Sequence, residues 1–282
     1  MVRIVVCRFG GVEEGFVQRV LGVLNDCFGR VGAEAVEIVD VYVFERSSSM
    51  NAFVNDEKRK LGIGTSAFEE SFLAVHDAWR GTPRIMVAHD KMLHVPELVG
   101  TGALRHEAAH AVLHGSLEYY SFPAPVSLLE LEGRGVVSRQ ITMDLVYLAS
   151  VAVKDFEVTR LLYEKGYVED QLAYNEYYLK PSEEELTAWK LAEKNKTAKL
   201  LFLVSALKTA CCAAPLLKDE RYGAQILEAI NRSMNFLPKD LSVQLLRILE
   251  ATSKLSMDTH ENVDLFMKKI IDELVTKGKL ED

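Results

Sequence analysis

His106, Glu107 and His110 stand in the order H-E-x-x-H within the stretch "GALRHEAAHAVLHG". On a helix, residues four apart share a face one turn apart, so two imidazoles at this spacing can reach one ion. Glu107 then falls beside that ion without binding it, where its carboxylate can take a proton from water. The spacing therefore points to Zn²⁺ and to hydrolysis by activated water. An accidental arrangement would bury two imidazoles and a carboxylate in an apolar helix, which is costly unless something satisfies them. His114 continues the series. It lies about 12 Å along the axis from His106, too far for one straight helix to give all three to one ion. It is expected in the last helical turn, near the negative end of the helix dipole.

The helix that must carry this pair is bounded by signals in the sequence. Thr101 is expected as its N-cap and Gly115 as its stop. Leu104, Ala108, Ala109, Ala111, Val112 and Leu113 make it mostly apolar. Before it, "RIVVC" from Arg3 and "AVEIVDVYVFE" read as strands. "VEEGFVQRVLGVLNDCFGRVG" between them has helical spacing, with Gly32 as a stop. "NAFVNDEKRKLGIGT" reads as two short strands around a polar turn. "SAFEESFLAVHDAW" reads as a helix with Ser66 and Glu69 forming a capping box. "PRIMVAHDKM" reads as a strand whose edge could take an extended peptide.

From about Ile141 onward the pattern is helical. One long helix is expected to end at Gly166. Four more follow in "SEEELTAWKLAEKNKTAKLLFLVSALKTACC", "ERYGAQILEAINRSMNF", "LSVQLLRILEATSKL" and "ENVDLFMKKIIDELVTKG", punctuated by Pro181, Pro215 and Pro238. The expected fold class is α+β. Residues 1–166 would form a domain with a small mixed sheet and the metal-binding helix, and residues 167–282 an all-helical half.

Bulk properties restrict the partners. The net charge is −8 and the pI about 5.5, which disfavours a nucleic-acid surface. Cys7, Cys27, Cys211 and Cys212 form no C-x-x-C pair and read as small apolar residues in a reducing compartment. "LLFLVSALKTACCAAPLL" is the most apolar stretch. Lys208 interrupts it and Pro215 sits near its end, so it reads as a buried helix and not a membrane crossing. The N-terminus makes a poor signal peptide. A cytoplasmic protein without membrane or nucleic-acid partners is expected.

The H-E-x-x-H helix resembles that of the zincin metallopeptidases of the gluzincin type. The resemblance covers roughly residues 51–166 and is similar in kind to small soluble gluzincin-like proteins, some of them archaeal. It implies a third metal ligand on a second, downstream helix. In one branch of the family that helix carries an E-x-x-x-D pattern. "KDFEVTRLLYEKGY" resembles it, with Asp155 at the ligand position, Phe156 at the aromatic, Val158 at the small residue and Thr159 where the family has Asp. "NAFVNDEKRKLGIGT" resembles the hairpin that precedes the metal helix there. Asp155 is one methylene shorter than the family's Glu, and Glu157 is the alternative. At about 100° per residue Asp155 shares a face with Leu148, Val151, Ala152, Val158, Thr159 and Leu162, whereas Glu157 falls with Ser150, Lys154, Arg160 and Glu164 and a few apolar residues. A carboxylate in the apolar stripe needs a partner, which favours Asp155. The competing role for Asp155 is an ion pair with a buried arginine such as Arg105.

What the resemblance implies is a zinc metallopeptidase acting on a peptide or protein. His106, His110 and Asp155 would hold Zn²⁺, with Glu107 as general base. Tyr119, Tyr120 and Arg105 are the candidate oxyanion donors. Two alternatives stay open: a catalytically silent zincin-fold binding module whose helical half is the interaction element, and a hydrolase of non-peptide amides.

Overall fold

The computed structural model describes residues 2–34, 36–60 and 72–277. Their contacts divide the chain into two compact units. The first comprises Met1–Tyr120 and Glu164–Tyr174; the second comprises Ser121–Tyr163 and Asn175–Asp282.

The first unit opens with strand β1 (Arg3–Phe9), helix α1 (Glu14–Val31), strand β2 (Ile38–Phe44) and helix α2 (Ser47–Lys60). Strands β3 (Ala74–Asp77) and β4 (Arg84–Ala88) follow, then the short helix α3 (His89–Met92) and helix α4 (Glu97–Leu113). Among the described residues a four-stranded sheet runs in the order β1-β2-β4-β3. β1, β2 and β4 are parallel, and β3 is antiparallel to β4 at the end of the sheet. Parallel neighbours need a crossover, which α1 supplies between β1 and β2. All five residues of β4 are buried, as expected of a strand covered on both faces. α1 buries Phe16, Val20, Leu24, Cys27 and Val31 at i, i+4, i+8 spacing and ends on Gly32 at φ +80°, the left-handed stop that glycine adopts freely. α4 packs against α1, β3 and β4.

Three expectations for this unit are corrected. Residues 51–60 are not a hairpin strand but the body of α2. Met50 and Val54 are its buried pair, one turn apart, and Lys58, Arg59 and Lys60 fall in its last turn, where cations suit the dipole. Asp90 caps the first turn, accepting from the Ser47 N–H at 2.9 Å and from its hydroxyl at 3.0 Å. The second half of the expected hairpin, and the Ser66–Glu69 capping box, lie outside the described residues. The proposed helix around them ends in a strand, since Ala74–Asp77 is β3. Finally, β4 is an interior strand and presents no edge. Among the described residues β3 stands at that end of the sheet instead.

An ion-pair cluster ties β3, β4 and α2 together. The buried Arg84 reaches Asp77 and Glu57, each at 2.8 Å, and lies over the rings of Tyr42, Phe53 and Trp79. A charge this well buried persists only when its partners are held with it.

The second unit is helical. It contains α5 (Val126–Gly133) and α6 (Arg139–Glu164), whose last residue already belongs to the first unit. Helix α7 (Val168–Tyr178) is shared in the same way, passing to the second unit after Tyr174. Then come α8 (Glu183–Ala192), α9 (Lys196–Ala213), α10 (Gly223–Ser233), α11 (Lys239–Glu250) and α12 (Thr259–Ile270). The single helix expected over 182–212 is two. Asn195 leaves helical geometry and caps α9 by accepting from the Ala198 N–H at 3.0 Å. Asn competes with the helix in this way whenever it can reach a backbone donor. The segment Lys196–Lys218 is long and apolar enough to cross a membrane by length and composition, and 61% of its most apolar 18-residue window is buried inside the protein. Leu200, Leu203, Val204 and Leu207 form its buried side, as in a core helix.

Candidate metal centre

α4 starts earlier than its sequence signals imply. Pro96 precedes its first residue and Thr101 lies inside it. Proline fixes φ near the helical value and its missing N–H is not needed there, so it is a suitable entry. The C-terminal end falls as expected: Leu113 is the last helical residue and His114 the cap, its N–H donating to the His110 carbonyl at 2.7 Å.

His106, Glu107 and His110 are all buried on α4. The Nε2 atoms of His106 and His110 are 3.1 Å apart, with the two rings at 74° to one another. Two nitrogens bound to one tetrahedral zinc at 2.0–2.1 Å would be separated by about 3.3 Å. The pair therefore already has the spacing of two legs of such a site.

Three aromatic side chains of the same unit surround the pair. His76 of β3 lies parallel to His110, with ring centroids 5.9 Å apart. Tyr174 of α7 packs on His106 at 4.9 Å. His114, 2% exposed, places Nδ1 3.2 Å from Nδ1 of His110 and meets the ring of Tyr119 edge-on. His76 and Tyr174 were not singled out in the sequence. His76 sits in a segment whose expected helical period hid the strand, and nothing in the sequence separates Tyr174 from nine other tyrosines. His114 stands at the C-terminal end of α4, as expected, and is in addition buried and turned back onto His110.

Two glycines make these approaches possible. A Cβ on Gly102 would lie 2.5 Å from the Asp170 carbonyl oxygen and 2.8 Å from Cβ of Tyr174, so α7 can rest on α4 only where α4 has no side chain. A Cβ on Gly115 would lie 2.2 Å from the Ala111 carbonyl oxygen and 2.9 Å from Pro83. Gly102→Ala should therefore push α7 off α4 and cost about 1–3 kcal/mol, the usual range for overpacking. Urea unfolding of the purified variant reads this directly, and an unchanged midpoint would contradict the packing described.

Arg105 is committed elsewhere. Its guanidinium pairs with Asp170 and, at 3.0 Å, with Asp26, and it lies 4.0 Å from the Tyr167 ring centroid. It belongs to the joint between α1, α4 and α7, which corrects its candidacy both as the partner of Asp155 and as an oxyanion donor. The Tyr120 hydroxyl accepts from the Ala78 N–H, just past β3.

Asp155 and Glu157 lie on α6 in the second unit, and their environments reverse the helical-wheel expectation. Glu157 is the buried carboxylate, 5% exposed. Its oxygens accept from the Thr259 hydroxyl at 2.8 Å and from the Asn262 amide at 2.5 Å, both on α12. Asp155 is half-buried. Burial pushes the Cys211 thiol up, and the Asp155 carboxylate adds to that rise. Burial lowers the Lys154 ammonium, with Asp155 and then Glu157 opposing it. Thr159, at the position of the family's second acid, is fully buried with its hydroxyl 3.4 Å from the Cys212 sulfur.

No protein-family model, no curated protein and no solved structure matches this chain.

Proposed function

We propose that the protein is a zinc metallopeptidase of the gluzincin type, hydrolysing peptide bonds in a peptide or protein substrate in the cytoplasm. The observation that carries this reading is the His106–His110 pair on α4, with Nε2 atoms 3.1 Å apart and Glu107 between them in the sequence. Two imidazoles and a carboxylate form a donor set that could hold a metal ion, and His106, His110 and Asp155 are the set proposed here. The engagement of Glu157 by Thr259 and Asn262 favours Asp155 over it.

Bound zinc would supply Lewis acidity and a more acidic water. The chain's own residues supply the rest. Glu107 accepts a proton from the attacking water and passes it to the departing amine, one carboxylate serving both directions. His76 and Tyr174 fix the rings of His110 and His106 by packing against them. β3, as the end strand of the sheet and a neighbour of α4, is the element along which an extended substrate would pair.

Metal analysis of the purified protein tests the reading. About one zinc per chain is expected in the parent and much less in His106→Ala. Equal zinc in both would sink the assignment. Zinc bound through these residues with no hydrolysis across a peptide library would instead favour the silent binding module.

A further inference from the structure

His110 differs from His106 in that both its ring nitrogens face another histidine. Nε2 faces Nε2 of His106 at 3.1 Å, and Nδ1 faces Nδ1 of His114 at 3.2 Å. All three rings are buried. A neutral imidazole carries its one proton on one nitrogen and offers a lone pair on the other. If Nε2 of His110 turns its lone pair to a metal, Nδ1 must carry the proton. Nδ1 of His114, 3.2 Å away, is placed to accept that proton. His114 must in turn be the tautomer protonated on Nε2.

We infer that His114 is a positioning residue for the metal centre: it fixes the tautomer and the ring plane of His110 through an Nδ1–H to Nδ1 hydrogen bond. This rests on the zinc reading above, because it assigns His114 a role toward that metal. Metal-bound histidines commonly donate their second N–H to a carboxylate or carbonyl that orients them. Here a third histidine of the same helix takes that place. The local sequence explains how. An i+4 residue in mid-helix would project its ring alongside the first. His114 instead caps α4, and Gly115 allows the backbone to close tightly over the last turn, since any Cβ there would strike the Ala111 carbonyl. Tyr119, meeting the His114 ring edge-on, closes the far side.

Two substitutions separate the hydrogen bond from the packing. The amide of His114→Asn can place an acceptor where Nδ1 stood. His114→Phe keeps a ring and has no acceptor. Zinc affinity, measured by competition with a chromophoric chelator, should fall about 10- to 100-fold in His114→Phe, the range seen when an outer partner of a metal-bound histidine is lost. In His114→Asn it should stay within about threefold of the parent. Equal affinity in His114→Phe and the parent overturns the inference, and so does an equal loss in both variants. Long-range ¹H–¹⁵N correlation spectra of the unaltered protein give an independent reading that needs no variant to fold. They should show His110 protonated on Nδ1 and His114 on Nε2 in the metal-free and the zinc-loaded protein, and the opposite tautomers overturn the inference. If His106→Ala retains full zinc while the tautomers are as stated, the metal assignment fails and the hydrogen bond survives, so the two failures are distinguishable.

Discussion

Glu107→Gln should keep its zinc and lose peptide hydrolysis by about 10²- to 10⁴-fold, the usual contribution of a positioned general base. Glutamine has the same shape and length, so the buried position on α4 is refilled without a cavity. What it lacks is a basic oxygen. The proton of the attacking water then has no acceptor, and the leaving amine has no donor. Two measurements on one sample decide the matter: zinc per chain and the rate of peptide cleavage. If zinc falls as far as in His106→Ala, Glu107 is a ligand and its role as base is wrong. If zinc and rate both stay at the parent's level, the proton passes through another group, and the side chains packed on the histidine pair become the place to look.

The parts of the fold that could be read in the sequence share one property: a single buried face. α1 repeats its apolar residues at helical spacing and stops at a glycine, and its boundaries follow from that alone. β2 alternates and is a strand. The α4 histidines were legible because their chemistry is local. Residues four apart on a helix meet whatever the rest of the molecule does. The misreadings have the opposite character. In α2 the short run Ala52–Phe53–Val54 imitates a strand, and the helix emerges only from the spacing of Met50 and Val54 and from Asp90, which caps it from far along the chain. β4 is buried throughout and apolar from Ile85 to Ala88 because both its faces are covered, so its sequence cannot tell an edge from an interior strand. α6 defeated the helical wheel for the same reason. Its buried residues, from Val158 and Leu162 through Thr159 and Leu145 to Glu157 and Ser150, spread over about three quarters of its circumference at about 100° per residue. A wheel that assumes a narrow apolar stripe then sets the wrong boundary. The ring of aromatic groups about the histidine pair depends on β3 and α7, which pattern alone did not locate.

The two α6 carboxylates should separate cleanly when each is removed. Asp155→Ala is expected to lower zinc affinity by more than the about 10- to 100-fold typical of losing an outer partner, since a direct ligand is taken away. The fold should tolerate it, because Asp155 is only half-buried and Glu157 still supports the Lys154 ammonium when the Asp155 charge is gone. Glu157→Ala should do the reverse. Its loss leaves the Thr259 hydroxyl and the Asn262 amide facing a buried space where their acceptors stood. A buried donor that loses its acceptor costs about 1–3 kcal/mol. Chemical unfolding should therefore show a clear loss of stability in Glu157→Ala at nearly unchanged zinc affinity. The contrast matters more than either value. A stability loss shared by both variants with zinc unaffected would make Asp155 a structural carboxylate and leave the metal with two histidines and an unidentified third donor. Zinc lost with Glu157 alone would mean that its bonds to α12 give way when metal binds, and the ligand would then be the family's own residue type at a position two residues further along the helix.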